Sequence, residues 1–152
     1  MRNAIVVTHP VFIFLLTLLL LTGCATTPYG NHVVDNSPNH NTVIANDAAY
    51  QLMQLYPPAS TRFNLQHPTT DSFGAVLIES LRMGGYAIKE HVKTNLAQPI
   101  NTPDDGTTLA YILDQSSDVY RLSVMIDKQI LTRAYMSGEN KIQPAGSWVL
   151  KE

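Results

Sequence analysis

"STRFNLQHPTTDSFGAVLIESLRMGGYAIKE", residues 60–90, decides the architecture. It opens with an alternation: Phe63 and Leu65 point one way, Arg62, Asn64 and Gln66 the other. That is the pattern of a half-buried strand. His67-Pro68 ends the strand. The strongest helix of the chain follows. Thr69 or Thr70 can cap it, and Asp71 sits favourably against its N-terminal dipole. Phe73, Val76, Leu77, Ser80, Leu81 and Gly84 share one face at spacings of three and four. Gly84-Gly85 supplies a left-handed stop, and "YAIKE" (86–90) returns as a strand. The unit reads strand–helix–strand.

Downstream, residues 92–106 carry Pro99, Pro103 and Asp104-Asp105-Gly106, and read as a long surface loop. A meander of strands is then expected over 107–114, 119–126, 129–136 and 141–150. Pro144 cannot donate to a ladder, so it places the last strand on an edge or marks a bulge. Upstream, Val43 to Tyr56 reads as a helix with Ile44, Ala48, Leu52, Leu55 and Tyr56 on one face, stopped by Pro57-Pro58. The expected fold is α+β: one small domain, with one or two helices packed on a mixed, mainly antiparallel sheet.

Residues 25–42 are rich in Asn, Pro, Thr and Gly and show no period, so they read as a flexible tether. Before them, Val11 to Leu21 is apolar except for Thr17. A helix of about 11 residues spans roughly 16 Å, too short for a hydrocarbon core of about 30 Å. With Arg2 ahead of it and small residues behind, the run reads as a signal peptide. The expected organisation is therefore 1–23 signal peptide, 24–42 cysteine and tether, and 43–152 folded domain.

The chain has a formal net charge of −2 and no basic cluster, which argues against a grip on DNA or RNA backbones. Nothing in it spells out catalysis. The five histidines, His9, His32, His40, His67 and His91, make no metal face with one another or with carboxylates, and His32 with His40 is too sparse for a site in the tether. Asp104-Asp105-Gly106 lacks the following ligands of a calcium loop. No P-loop, dinucleotide fingerprint or G-x-S-x-G elbow occurs. No enzyme activity, cofactor or metal is expected. Tyr111, Tyr120, Tyr135 and Trp148 fit sheet packing better than a partner-facing patch, and Arg121 and Arg133 read as solvated charges flanking the sheet.

Cys24 is the sole cysteine and follows Leu21-Thr22-Gly23. An aliphatic residue, two small ones and a cysteine resemble the lipobox of bacterial lipoproteins. The resemblance implies cleavage before Cys24, a diacylglycerol on its sulfur and an acylated amino group. Two or more acyl chains suffice for stable anchoring. Ala25, rather than Asp, implies sorting to the outer membrane.

The rest of the chain resembles the TrbH-type conjugal-transfer lipoproteins. The likeness runs through "TPYGN" (27–31), "LYPPASTRFNLQ" (55–66), "FGAVLIESLRMGGYAIKE" (73–90), "YILDQ" (111–115), "YRLSV" (120–124), "LTRAYM" (131–136) and "PAGSWVLKE" (144–152). It implies a lipid-anchored, non-catalytic subunit in the outer-membrane core complex of a conjugative type IV secretion system. VirB9-like and VirB10-like proteins are then its partners, multiple copies stand in a ring, and the domain lies in the periplasm. The element order also resembles small N0-like domains. A periplasmic lipoprotein binding a ligand or peptidoglycan, or a plasmid exclusion lipoprotein, would carry the same anchor. In the tether, Pro28, Tyr29, Val33 and Val34 are the residues expected to bind a core-complex partner by adding a short strand or filling pockets.

Overall fold

The computed structural model describes residues 28–34, 37–91, 106–139 and 141–152. Two helices, α1 (Pro38–Leu55) and α2 (Ser72–Met83), accompany eight strands: β1 (Gly30–Asn31), β2 (Arg62–Leu65), β3 (Ala87–Lys89), β4 (Thr107–Ser116), β5 (Val119–Ile126), β6 (Gln129–Gly138), β7 (Lys141–Pro144) and β8 (Val149–Lys151). This is the α+β domain with a mixed sheet that the patterning implies.

β2, α2 and β3 form the strand–helix–strand unit, with β2 parallel to β3. Asp71 itself, not Thr69 or Thr70, is the N-cap of α2; its carboxylate accepts from the Gly74 amide at 2.9 Å. At the other end Gly85 takes φ 91°. The Tyr86 amide reaches the Leu81 carbonyl and the Gly85 amide reaches that of Arg82, closing the helix in a Schellman motif. In β2, Asn64 is buried as well as Phe63 and Leu65, against the simple alternation. Its amide fills the space beside Gly106, where a Cβ would overlap it.

The sheet runs β3-β2-β4-β5-β6-β7, with β1 added on β4 and β8 on β6. β4, β5 and β6 form the expected antiparallel meander. The last expected strand is split in two. β7 pairs the far end of β6 (Tyr135 opposite Pro144), and β8 pairs nearer its start (Thr132 opposite Val149). The Ala145 amide still donates to the Ala134 carbonyl at 2.9 Å, and the chain detours after it before β8 rejoins β6.

α1 begins at Pro38 rather than Val43, and β1 lies within the stretch read as tether, so residues 28–34 and 37–42 belong to the described fold. Pro at the first helical position loses no intrahelical bond. Asn41 is buried and donates to Ser72 Oγ at 2.6 Å, a tertiary contact that outweighs the poor helix propensities of Asn39 to Thr42. α1 buries Ile44, Ala45, Ala48, Ala49 and Leu52, while Leu55 stays 41% exposed. The small alanines bring α1 close to α2, and Ser80 Oγ donates to Asn46 Oδ1 at 2.8 Å across the gap.

Both helices cover one face of the sheet. Leu109, Tyr111 and Leu113 of β4, Tyr120, Leu122 and Val124 of β5, and Leu131 and Tyr135 of β6 point into that core, with Phe73, Leu77 and Leu81 of α2 opposite. Leu77 is fully buried, so Leu77→Ala should cost about 2–5 kcal/mol. Urea unfolding of the full chain followed by circular dichroism reads this directly. A loss below about 1 kcal/mol would mean that the site collapses without a cavity.

Candidate functional site

The site is built on one edge of β4. Two parallel strands lie end to end along it: β2 opposite Thr107–Leu109 and β1 opposite Ile112 and Leu113. Just past β2, the Gln66 amide donates to the Leu109 carbonyl at 3.0 Å. Just past β1, the His32 amide donates to that of Leu113 at 2.8 Å. The Tyr111 amide falls between them. The His67 ring fills the gap and supplies the acceptor: Nε2 accepts from the Tyr111 amide at 3.4 Å. Nδ1 lies 3.0 Å from the Pro68 carbonyl, which can only accept. The hydrogen bonds therefore assign the proton to Nδ1 and the lone pair to Nε2.

His67 is 5% exposed. Tyr29 stacks on its outer side at 5.7 Å and 26°, and Tyr111 meets it edge-on at 4.5 Å. Burial lowers the His67 pKa below that of an ordinary imidazole; the Pro68 carbonyl and Asp71 pull the other way, and His91 adds to the lowering. The Tyr111 ring packs on Phe73, and its hydroxyl donates to Asp71 Oδ2 at 2.5 Å. A Cβ at Gly74 would overlap that hydroxyl, so the residue taking Asp71's other oxygen has to be glycine. Burial, then the hydrogen bond and charge of Asp71, hold Tyr111 protonated. A cleft of about 620 Å³ opens beside this stack, lined among others by Asn31, His32, Thr70 and His91.

Of the residues expected to bind a partner, the structure brings two onto the domain. Tyr29 covers His67, and Val33 packs against the core. The Val33 amide donates to Asn31 Oδ1 at 3.0 Å, and Gly30 takes φ 127°, a conformation that explains a glycine where the chain meets the β4 edge. Pro28 is exposed and Val34 is 97% exposed. Cys24 lies outside the described residues, as do the expected signal peptide over 1–23 and all but Gly106 of the loop expected over 92–106. His67 was legible only as a loop residue before a proline; its role comes from register, which the sequence does not show.

A second polar cluster ties α1 to the far side of the sheet. Arg133, expected to be a solvated charge, is instead half-buried. Nη1 bonds both Asp47 oxygens at 3.0 and 2.9 Å, and Nε donates to the Gly146 carbonyl at 2.8 Å. Its guanidinium lies 5.7 Å from the Trp148 ring centroid. The Tyr135 hydroxyl donates to Asp47 Oδ2 at 2.6 Å; burial and that bond raise its pKa. Arg121 does flank the sheet, on the other face, where it pairs with Asp114 at 2.6 Å. Tyr111, Tyr120 and Tyr135 are all buried, as ordinary packing requires.

Among the described residues no element covers that other face, which exposes Val119, Ile130, Met136 and Val149 by 37–62%. Among the described residues, too, no three His, Cys, Asp or Glu side chains are placed to hold a metal ion, and no helix is long and apolar enough to cross a membrane.

Fold and site together define a small α+β sheet domain whose N-terminal segment is strapped to its own β4 edge. The chain belongs to the TrbH family of conjugal transfer proteins, whose model matches residues 26–152. No curated protein and no solved structure gives a significant match.

Tyr135→Phe removes a hydrogen bond to a charged, half-buried acceptor and should cost about 1.5–3 kcal/mol. Arg121→Ala cuts an exposed pair and should stay within about 1 kcal/mol. Chemical denaturation of both variants separates the structural arginine face from the solvated one.

Proposed function

We propose that the protein is a lipid-anchored, non-catalytic subunit of the outer-membrane core complex of a conjugative type IV secretion system. Cys24 carries the lipid, the domain stands in the periplasm, and the subunit works by contact with VirB9-like and VirB10-like proteins, in multiple copies around a ring. The observation that carries this reading is the TrbH family match over 26–152, which begins just past the lipobox-like cysteine. The exposed apolar side chains on the uncovered sheet face support a protein that acts through partners, since such patches are costly on a free surface. The net charge of −2 supports a role without a direct grip on DNA.

Co-purification tests the reading. The wild-type chain should leave the membrane with the detergent-extracted core complex and label with a fatty-acid analogue. Cys24→Ser should lose the label and the outer-membrane fraction while keeping its fold. Replacement of 28–34 by a Gly/Ser linker should keep the label but weaken core-complex association and lower conjugation frequency. A wild-type chain that labels yet never accompanies the core proteins would point to ligand or peptidoglycan binding, or to plasmid exclusion.

A further inference from the structure

The geometry points to an acid-operated release of the N-terminal strap: protonation of His67 breaks the junction that holds Gly30–Asn31 on β4 and frees residues 28–34, while the rest of the domain stays folded. This goes beyond the proposed function and does not depend on it.

The hold on the strap is thin. Only two residue pairs join β1 to β4, extended by the His32 amide on the Leu113 carbonyl. Tyr29 on the His67 ring, Val33 against the core and the Asn31 side-chain amide, which donates to Asn41 Oδ1 at 3.5 Å, supply the further contact. Both ring nitrogens of His67 are committed, Nδ1–H to the Pro68 carbonyl and the Nε2 lone pair to the Tyr111 amide. A second proton goes on Nε2 and sets two N–H donors against each other at 3.4 Å. The charged ring then needs water on its open side, and Tyr29 occupies that side. Moving the strap away opens the covered side of the ring to water and gives the ring room to swing off the Tyr111 amide.

The groups facing His67 come from every neighbouring element. Asp71, at the head of α2, favours the charged ring, but its oxygens are already engaged by the Gly74 amide and the Tyr111 hydroxyl. His91, past the end of β3, opposes it, and His32 on the strap lines the same cleft. Tyr29 and Tyr111 are neutral phenols. Burial outweighs the favourable neighbours, so the docked ring takes up its proton at lower pH than a released one. The sign follows. The docked state binds fewer protons, so its advantage is complete above about pH 6.5, the ordinary imidazole value, and falls by up to about tenfold per pH unit below it. The helices are held to each other and to the sheet by Asn41–Ser72, Asn46–Ser80 and Asp47–Arg133, which include no histidine; His40 at the head of α1 also meets the Tyr120 hydroxyl at 3.3 Å, and the His67→Gln variant below separates that contact from the strap.

Amide exchange of the full chain in a non-ionic detergent, followed by NMR and normalised to intrinsic rates, tests this at pH 7.5 and pH 5. The His32 amide should lose protection on acidification, by no more than about tenfold for each pH unit below about 6.5, while Leu122 and Val124 keep theirs. His67→Gln, which does not titrate, should abolish the pH dependence. Tyr29→Ala keeps the histidine and should weaken strap protection at pH 7.5 and bring the His67 titration, read from its ring proton shift, back toward the ordinary value. Equal His32 protection at the two pH values would overturn the inference, as would loss of the core amides in step with the strap. So would an unchanged acid response in His67→Gln, or an unchanged His67 titration in Tyr29→Ala.

Discussion

Buried tyrosine hydroxyls set the terms for the rest of this structure. Tyr111 and Tyr135 lie on the helix-facing side of the sheet with no exposure. A buried hydroxyl left without a partner costs about 1–3 kcal/mol, so each must meet an acceptor carried by a helix. Tyr111 meets Asp71 at the head of α2, and Tyr135 meets Asp47 within α1. Each helix is thereby fixed in azimuth and position along the sheet by a directional bond, which hydrophobic contact alone would leave free to slide. The pairs then draw in neighbours. Asp71 can cap α2 and serve Tyr111 only because Gly74 leaves room, and Asp47 can sit half-buried only because Arg133 answers its charge.

The corner at 145–148 follows from the same need. A guanidinium under α1 has more donors than one carboxylate satisfies. The chain folds back so that the Gly146 carbonyl takes Nε and Trp148 covers the planar face. Splitting the last strand into β7 and β8 sacrifices part of a ladder and completes the arginine's shell. The "AGSW" part of the ending thus has a packing reason: small residues to turn, and an aromatic ring to close over the cation.

The sequence displayed what depends on side-chain period and concealed what depends on register. Alternation marks β4, β5 and β6, and α2 is plain from its apolar face and glycine stop, since one buried face imprints a period of two or 3.6. The start of α1 was hidden because Asn39, His40, Asn41 and Thr42 are poor helix formers, held by a bond from Asn41 to a serine 31 positions away. β1 has only two residues, too few for any period. Arg133 and Asp47 are 86 positions apart, and His67 meets Tyr111 across 44. Nothing local distinguishes them from solvated residues. Of the expected partner-binding residues, Tyr29 and Val33 stand out in the sequence for apolar character within a polar stretch. The structure shows that character serving, at least in part, the chain's own sheet.

The strap also has a mechanical meaning. A pull on the chain from its N-terminal side reaches β1 before any other described element, and β1 meets it with two residue pairs at the margin of β4. Next in line stands α1, whose head is pinned by Asn41 to Ser72 and whose middle is pinned by Asp47 to Arg133. Load is therefore absorbed in order of increasing strength. The first few residues peel away and lengthen the lead by up to about 3.3–3.6 Å each, without disturbing the core. In a chain under tension the short strand would be the fuse: it would yield before the tyrosine–aspartate locks behind it.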